Sequence, residues 1–104
     1  MTTDELLNLV GEMVDKEEEL LKSKGKDYSG DKDTLQNFKS LSLLMEITPL
    51  QVWGVYFLKH VLAIMQFIKD KRLCSEPIDG RITDARNYLA LLQALIEEKK
   101  EIDK

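Results

Sequence analysis

The residues best suited to chemistry lie in the middle of an apolar segment. Lys59 and His60 interrupt the apolar run 52–68. A buried ammonium group is costly unless a carboxylate, an anionic ligand or a path to water accompanies it. Helical spacing places both residues in one polar stripe, which consists of Tyr56, Lys59, His60, Ala63 and Gln66. We expect this stripe either to contact a ligand or to pair Lys59 with an acid of the following helix.

A second polar group lies in the segment DGRITDARNY, residues 79–88. Asp84, Asn87 and Tyr88 are spaced i, i+3 and i+4, and Arg81 lies one turn earlier on the same side. A carboxylate, an amide, a phenol and a guanidinium on one helix face form a hydrogen-bonding surface. We expect this surface to bind a ligand. The alternative is a structural role, in which it satisfies Lys59 and sets the register of the helices.

A third group lies in the segment Lys24-Gly25-Lys26-Asp27-Tyr28. Lysines beside a glycine could meet a phosphate, and the ring of Tyr28 could stack on a base. The same composition is also typical of a solvated turn, and that alternative stays open.

Hydrophobic periodicity predicts four helices that position these groups. The first is expected from an N-cap at Thr3 to about Lys24, where Gly25 should end it. The others are expected to begin near Asp33 or Thr34, at the capping sequence Thr48-Pro49-Leu50-Gln51, and near Asp79. The predicted fold is a single all-α domain, residues 1–104, a small four-helix bundle with a central apolar third helix. Residues 25–33 are expected to form a polar loop and residues 99–104 a frayed tail.

Composition limits the partners. A net charge of −4 and a pI near 5.0 argue against binding to duplex DNA, because phosphate neutralisation needs a basic face. A membrane-spanning third helix is not expected, since the apolar run is short and carries Lys59 at its centre. The lone Cys74 and the absence of a signal peptide at the N-terminus predict a cytoplasmic protein. Three helices can hardly cover an apolar fourth, so a homo-oligomer is expected.

The order of the short motifs resembles that of a known family. The motifs are Lys24-Gly25-Lys26-Asp27-Tyr28, Asn37-Phe38, Lys59-His60 and Asp84-Ala85-Arg86-Asn87-Tyr88. They resemble the small helical proteins of phage and bacterial genomes called nucleotide-modification-associated domains, which are distantly MazG-like. The resemblance covers about residues 21–95 and implies a nucleotide or a nucleotide-derived molecule as the ligand. Where relatives often have Asp-Lys this chain has Leu58-Lys59, and the segment 77–80 is less acidic than theirs.

An enzymatic alternative follows from the distant similarity to MazG-like pyrophosphohydrolases. Such enzymes hold magnesium with paired acids on facing helices. Here Glu12 and Asp15 form one pair, but the last helix offers Asp84 with Asn87 in place of a second acid. The sequence therefore predicts no catalytic residue, metal site or cofactor, with magnesium on Glu12, Asp15 and Asp84 as the alternative.

The preferred hypothesis is a phage-type protein that binds a nucleotide-type molecule. In one concrete version it sequesters the molecule without turning it over, as a viral counter-defence protein would. Phosphate is expected at Lys59, His60 and Arg81, sugar or base edges at Asp84 and Asn87, and a stacked base on Tyr28 or Tyr88. The full predicted ligand set is Lys24, Lys26, Tyr28, Tyr56, Lys59, His60, Arg81, Asp84, Asn87 and Tyr88. The alternatives are the magnesium-dependent hydrolase and a helical adaptor that binds only protein.

Overall fold

The computed structural model describes residues 1–29, 33–70 and 77–103, and within them all side chains except those of residues 24–29. These ranges form four α-helices and no strand: α1 (Thr3–Ser29), α2 (Gln36–Met45), α3 (Pro49–Asp70) and α4 (Ile78–Ile102). α3 packs against α2 and α4, and α1 packs against α4 and touches α2. The predicted all-α four-helix architecture is confirmed.

The start of α3 is determined by the local sequence. The side chain of Gln51 accepts a hydrogen bond from the Thr48 amide (2.9 Å), and the Thr48 hydroxyl accepts one from the Gln51 amide (3.1 Å). This reciprocal pair satisfies two amide groups that a helix end leaves without partners. Pro49 follows directly as the first helical residue, where its missing N–H costs nothing. The predicted capping box is confirmed.

Two predicted boundaries of α1 are wrong. Thr2, not Thr3, caps the helix, because its hydroxyl accepts the Glu5 amide at 3.1 Å. At the other end the helix continues through Gly25 to Ser29, so residues 25–29 of the predicted polar loop are helical. A glycine inside a helix costs only about 1 kcal/mol, which the surrounding helical residues can offset. Residues 30–32 of the predicted loop lie outside the described residues.

α4 extends further than its charged tail predicts. It ends at Ile102, and the Asp103 amide bonds to the Lys99 carbonyl at 3.0 Å. The predicted frayed segment 99–104 is therefore helical up to residue 102. A lysine–glutamate contact within the last turns, Lys100 with Glu97, accompanies this extension.

The core is small and lies between α2, α3 and α4. Among the described side chains, five apolar ones are buried, namely Leu35, Phe38, Val52, Trp53 and Leu95. Leu44, Met45 and Leu89, which periodicity places on inner faces, are exposed. Leu44 and Met45 belong to the last turn of a ten-residue helix, and on α2 the residues that meet the core are Phe38 and Leu41. On α4 the core row runs through Tyr88, Leu91 and Leu95, so Leu89 lies outside it.

A sharp turn connects α2 to α3. Glu46 adopts a left-handed conformation (φ 57°, ψ 40°), and the Ile47 amide bonds to the Ser42 carbonyl at 3.2 Å. This arrangement ends α2 in the way a glycine often does, here with an ordinary residue. The capping box of α3 begins two residues later, so the two helices are joined by a very short link.

An ion-pair network joins the start of α2 to α4. The Lys39 ammonium lies 2.7 Å from a carboxylate oxygen of Asp33 and 2.9 Å from one of Glu98. Asp33 also accepts the Leu35 amide at 2.9 Å, which orders the residues before α2. The hydrogen bond from Lys39, and then that from the Leu35 amide, lower the pKa of Asp33 below its usual value. The same contacts raise the pKa of Lys39.

Among the described residues, one helix is long and apolar enough to cross a membrane by length and composition alone, namely α3. Its neighbours α2 and α4 leave one side of it exposed. That the protein does not enter a membrane stays a prediction.

We predict that Thr48→Ala lowers the free energy of unfolding by about 1 kcal/mol, because it removes the hydroxyl that caps α3. Urea denaturation followed by circular dichroism measures this change. Thr3→Ala is the matched control, because Thr3 lies one residue inside α1 and the capping hydroxyl belongs to Thr2. Equal losses in the two variants would contradict the assignment of the cap.

We also predict that Lys39→Met lowers the free energy of unfolding at pH 7 by at most about 1 kcal/mol, since the network is partly exposed. A carboxyl group whose folded pKa is depressed stabilises the fold above its unfolded pKa, and the contribution is lost as the pH falls through the folded pKa. The difference between the variant and the wild type should therefore be constant above the usual Asp pKa of 3.8 and shrink below it. Denaturation curves from pH 7 to pH 2 test this, and a difference that persists at the acidic end would contradict it.

Candidate functional site

The polar residues of α4 that were predicted to bind a ligand lie on the face that points into the bundle. Asp84 is 9% exposed and Asn87 is 6% exposed, although both side chains are polar. Arg81 is half-buried and lies one helical turn before Asp84. We call these three residues the α4 polar face. The sequence prediction that they share one side of a helix agrees with their burial.

Asn87 has an unusual environment. Its amide oxygen is buried and accepts no hydrogen bond from the described residues. Buried polar atoms in folded proteins nearly always have a partner, because burial without one costs about 1–3 kcal/mol. The orphaned oxygen therefore marks a position where a donor from a water molecule or a ligand would be stabilising.

Aromatic rings adjoin the α4 polar face. The imidazole of His60 packs on the ring of Tyr88, with ring centres 4.6 Å apart and planes tilted by 45°. A second aromatic neighbour of Tyr88 is Phe38, whose ring meets it edge-on at 6.2 Å. The Tyr88 carbonyl accepts a hydrogen bond of 2.6 Å from the Trp53 indole. Residues of two helices, α2 and α3, thus hold Tyr88 in place, and His60 is the residue of α3 that adjoins the α4 residues predicted to bind a ligand.

Lys59 does not enter the bundle. Its side chain is exposed, and its ammonium group lies 5.2 Å from the centre of the Tyr56 ring on the same helix. A cation at this distance is attracted by the negative face of the ring. Of the three alternatives that the sequence left open for Lys59, the structure shows the path to water, because one residue corresponds to a rotation of about 100° around a helix. His60 turns towards Tyr88, and Lys59 turns towards solvent.

The other predicted ligand residues divide into two groups. Tyr56 and Tyr88 are half-buried and pack against the core, so each offers only part of its ring to a ligand. The side chains of Lys24, Lys26 and Tyr28 lie outside the described part of the chain. Their assignment to a ligand stays a prediction.

The acids of the enzymatic alternative do not come together. Glu12 and Asp15 are exposed on α1, whereas Asp84 is buried on α4. In the described ranges, no group of three or more His, Cys, Asp or Glu side chains could hold a metal ion. The carboxylate cage that magnesium-dependent hydrolysis requires is not formed by these residues.

One ion pair of this region was not anticipated from the sequence. Glu17 on α1 accepts a hydrogen bond from the Arg86 guanidinium on α4, and the Glu17 side chain is largely buried. The pattern of α1 contains the signal for it. Glu17 continues the inner row of Met13 and Leu20 at spacings of four and three, where an acid indicates a buried partner.

A shallow groove of about 360 Å³ runs between α1 and α4. Lys16 and Glu19 line one wall, and Asp79 and Gly80 line the other. None of the predicted ligand residues with a described side chain borders it. The groove is open to solvent and mixes both charge signs, so it has no preference for an anion.

Comparisons with models of protein families, with curated proteins and with solved structures find no match. The resemblance to the nucleotide-modification-associated domains therefore rests on the four short motifs. Of these, Phe38 is a core residue, and Asn37 is exposed beside it.

We predict that Asn87→Leu leaves the free energy of unfolding unchanged or raises it by about 1 kcal/mol, because it replaces a buried unpaired acceptor with an apolar group of similar size. Chemical denaturation measures the change. Asn8→Leu, at an exposed position of α1, is the matched control and should lie within about 0.5 kcal/mol of the wild type. A loss of more than about 1 kcal/mol in Asn87→Leu alone would show that the amide holds the fold together.

Proposed function

We propose that this protein binds a small anionic molecule of the nucleotide class and does not turn it over. The observation that carries the proposal is the buried, unpartnered amide oxygen of Asn87 beside the buried carboxylate of Asp84. An amide oxygen and a carboxylate both accept hydrogen bonds. The amino group of a base or a hydroxyl group of a sugar supplies the donor that the Asn87 oxygen lacks.

The cationic side of the site comes from neighbouring residues. Arg81 lies on the same face of α4, and its planar guanidinium can bind a phosphate through two parallel hydrogen bonds. His60 lies against Tyr88 at the edge of this face. Lys59 is exposed next to His60 in sequence, so it can reach a phosphate that projects from the site towards solvent. The resemblance of the motifs to nucleotide-modification-associated domains supports the same class of ligand.

Binding without turnover is preferred over hydrolysis because of where the acids lie. Glu12 and Asp15 would have to approach Asp84 to hold a metal ion between α1 and α4, and both are exposed on α1. A protein that binds a nucleotide-derived signal and does not consume it lowers the free concentration of that signal. Sequestration in the cytoplasm by a phage protein is the concrete form of the proposal.

The proposal predicts a specific pattern in a thermal-shift screen. The probes are ATP, the four deoxynucleoside triphosphates and cyclic dinucleotides, each with and without magnesium. At least one probe should raise the melting temperature, because a ligand that binds only the folded state stabilises it. Asn87→Leu should lower the affinity for that ligand by roughly tenfold or more without loss of stability, whereas Asn8→Leu should leave the affinity unchanged.

Chromatography of the probes after incubation separates binding from catalysis. Recovery of the unchanged probe agrees with sequestration. Magnesium-dependent formation of a product would contradict sequestration and support the hydrolase alternative. If no probe shifts the melting temperature and Lys59→Ala behaves as the wild type does, nucleotide binding is refuted in both forms. The helical adaptor would then be the remaining hypothesis.

A further inference from the structure

The side of α3 that faces away from the core is apolar along most of its length. Val55, Leu58, Leu62 and Met65 are 49%, 59%, 66% and 56% exposed, and we call these four residues the α3 outer stripe. At about 100° per residue they lie on the side of the helix opposite His60, which contacts α4. No charged residue interrupts the stripe.

The exposed area is large for a protein of this size. Together with Ile68, which is 63% exposed, the stripe leaves roughly 500 Å² of apolar surface in water, near the upper limit for the largest patch on a soluble monomer. A stable dimer buries about 800 Å² on each partner, so this apolar surface would supply more than half of such an interface, and the polar residues along its edges would have to supply the rest. Because the core of the single chain is small, burial of this surface would add to the stability of the fold.

We propose that a second copy of this chain packs on the α3 outer stripe, with the two α3 helices antiparallel. The spacing of the stripe is 3, 4, 3, which reads the same in both directions along the helix. A two-fold axis at the level of residue 60 would therefore set Leu58 against Leu62 of the partner subunit, and Val55 against Met65 of the partner subunit. A closed dimer requires such a self-complementary surface.

The charges at the ends of the stripe favour the antiparallel orientation. The next residue along the stripe is Lys69 at one end and Gln51 at the other, and Glu46 lies just before α3. In a parallel pair the two Lys69 ammonium groups would meet, which is unfavourable. In an antiparallel pair Lys69 lies near Gln51 of the partner subunit, at the end of the helix where the partner's Glu46 lies. The two helix dipoles then point in opposite directions, which is favourable.

The flanks of the stripe agree with an interface between proteins. Lys59 and Gln66 are exposed along one edge, where they would form a polar rim around an apolar centre. The opposite side of α3 is occupied by α2 and α4. The dimer surface and the α4 polar face thus use different sides of the bundle, and the proposal does not depend on nucleotide binding.

Analytical ultracentrifugation and light scattering test the proposal. The wild type should have twice the chain mass of 12.0 kDa at micromolar concentrations. Leu58→Lys and Leu62→Glu should each give a monomer that retains its helical circular dichroism spectrum, since both positions are exposed in the single chain. Leu89→Glu replaces another exposed leucine, 49% exposed on α4, and should remain a dimer, which makes it the matched control.

The double variant Leu58→Lys with Leu62→Glu tests the orientation. An antiparallel pair sets each new lysine against a new glutamate of the partner subunit, so dimers should form again. A parallel pair would oppose like charges, and the double variant would stay monomeric. Any one of three results overturns the proposal. The first is a monomeric wild type, whether or not it binds phospholipid vesicles. The second is a Leu62→Glu variant that remains dimeric, and the third is a double variant that stays monomeric.

Discussion

The hydrogen bond from the Trp53 indole to the Tyr88 carbonyl is the contact on which the arrangement of α3 and α4 depends. At 2.6 Å it satisfies the one polar atom of a large side chain that is otherwise buried in the core. It also sets the rotation of α3, because a helix fixed at Trp53 must turn His60 towards Tyr88, seven residues or about two turns further along. The same rotation turns the α3 outer stripe to the solvent. The position of His60 beside the candidate site and the exposure of the proposed dimer surface thus both follow from the rotation of α3.

The distribution of polarity in this bundle is unusual in both directions. Asp84 and Asn87 are buried, whereas long apolar side chains on α3 are exposed. Each departure costs free energy in an isolated chain, because buried polar atoms lose water and exposed apolar atoms order it. Part of the internal cost is offset by ion pairs between helices, such as that of Glu17 with Arg86. The unpartnered oxygen of Asn87 lies where a ligand would supply a donor, and the exposed residues of α3 lie where a second copy would cover them.

Local signals in the sequence predicted local structure well. The capping box at Thr48 and Gln51 was recognisable because both hydrogen bonds are formed within four residues. The four helices followed from periodicity, and so did the common face of Asp84 and Asn87. The end of α1 was not predictable from Gly25, since a glycine permits the left-handed conformation that often ends a helix but does not require it. Whether a helix continues past it depends on contacts with other parts of the molecule.

The environment of single side chains on α3 required the structure. Every face of this helix has apolar residues, so periodicity could not show which side meets α4. Lys59 and His60 are neighbours in sequence, and an error of one position in the rotation exchanges a buried group for an exposed one. Once Trp53 defines the inner side, the outer residues reduce to a stripe with spacing 3, 4, 3. A stripe of this kind interlocks with its own copy because each side chain fits between those of the facing helix. The same rotation that corrects the position of Lys59 therefore turns an apparently featureless apolar helix into one with two distinct surfaces.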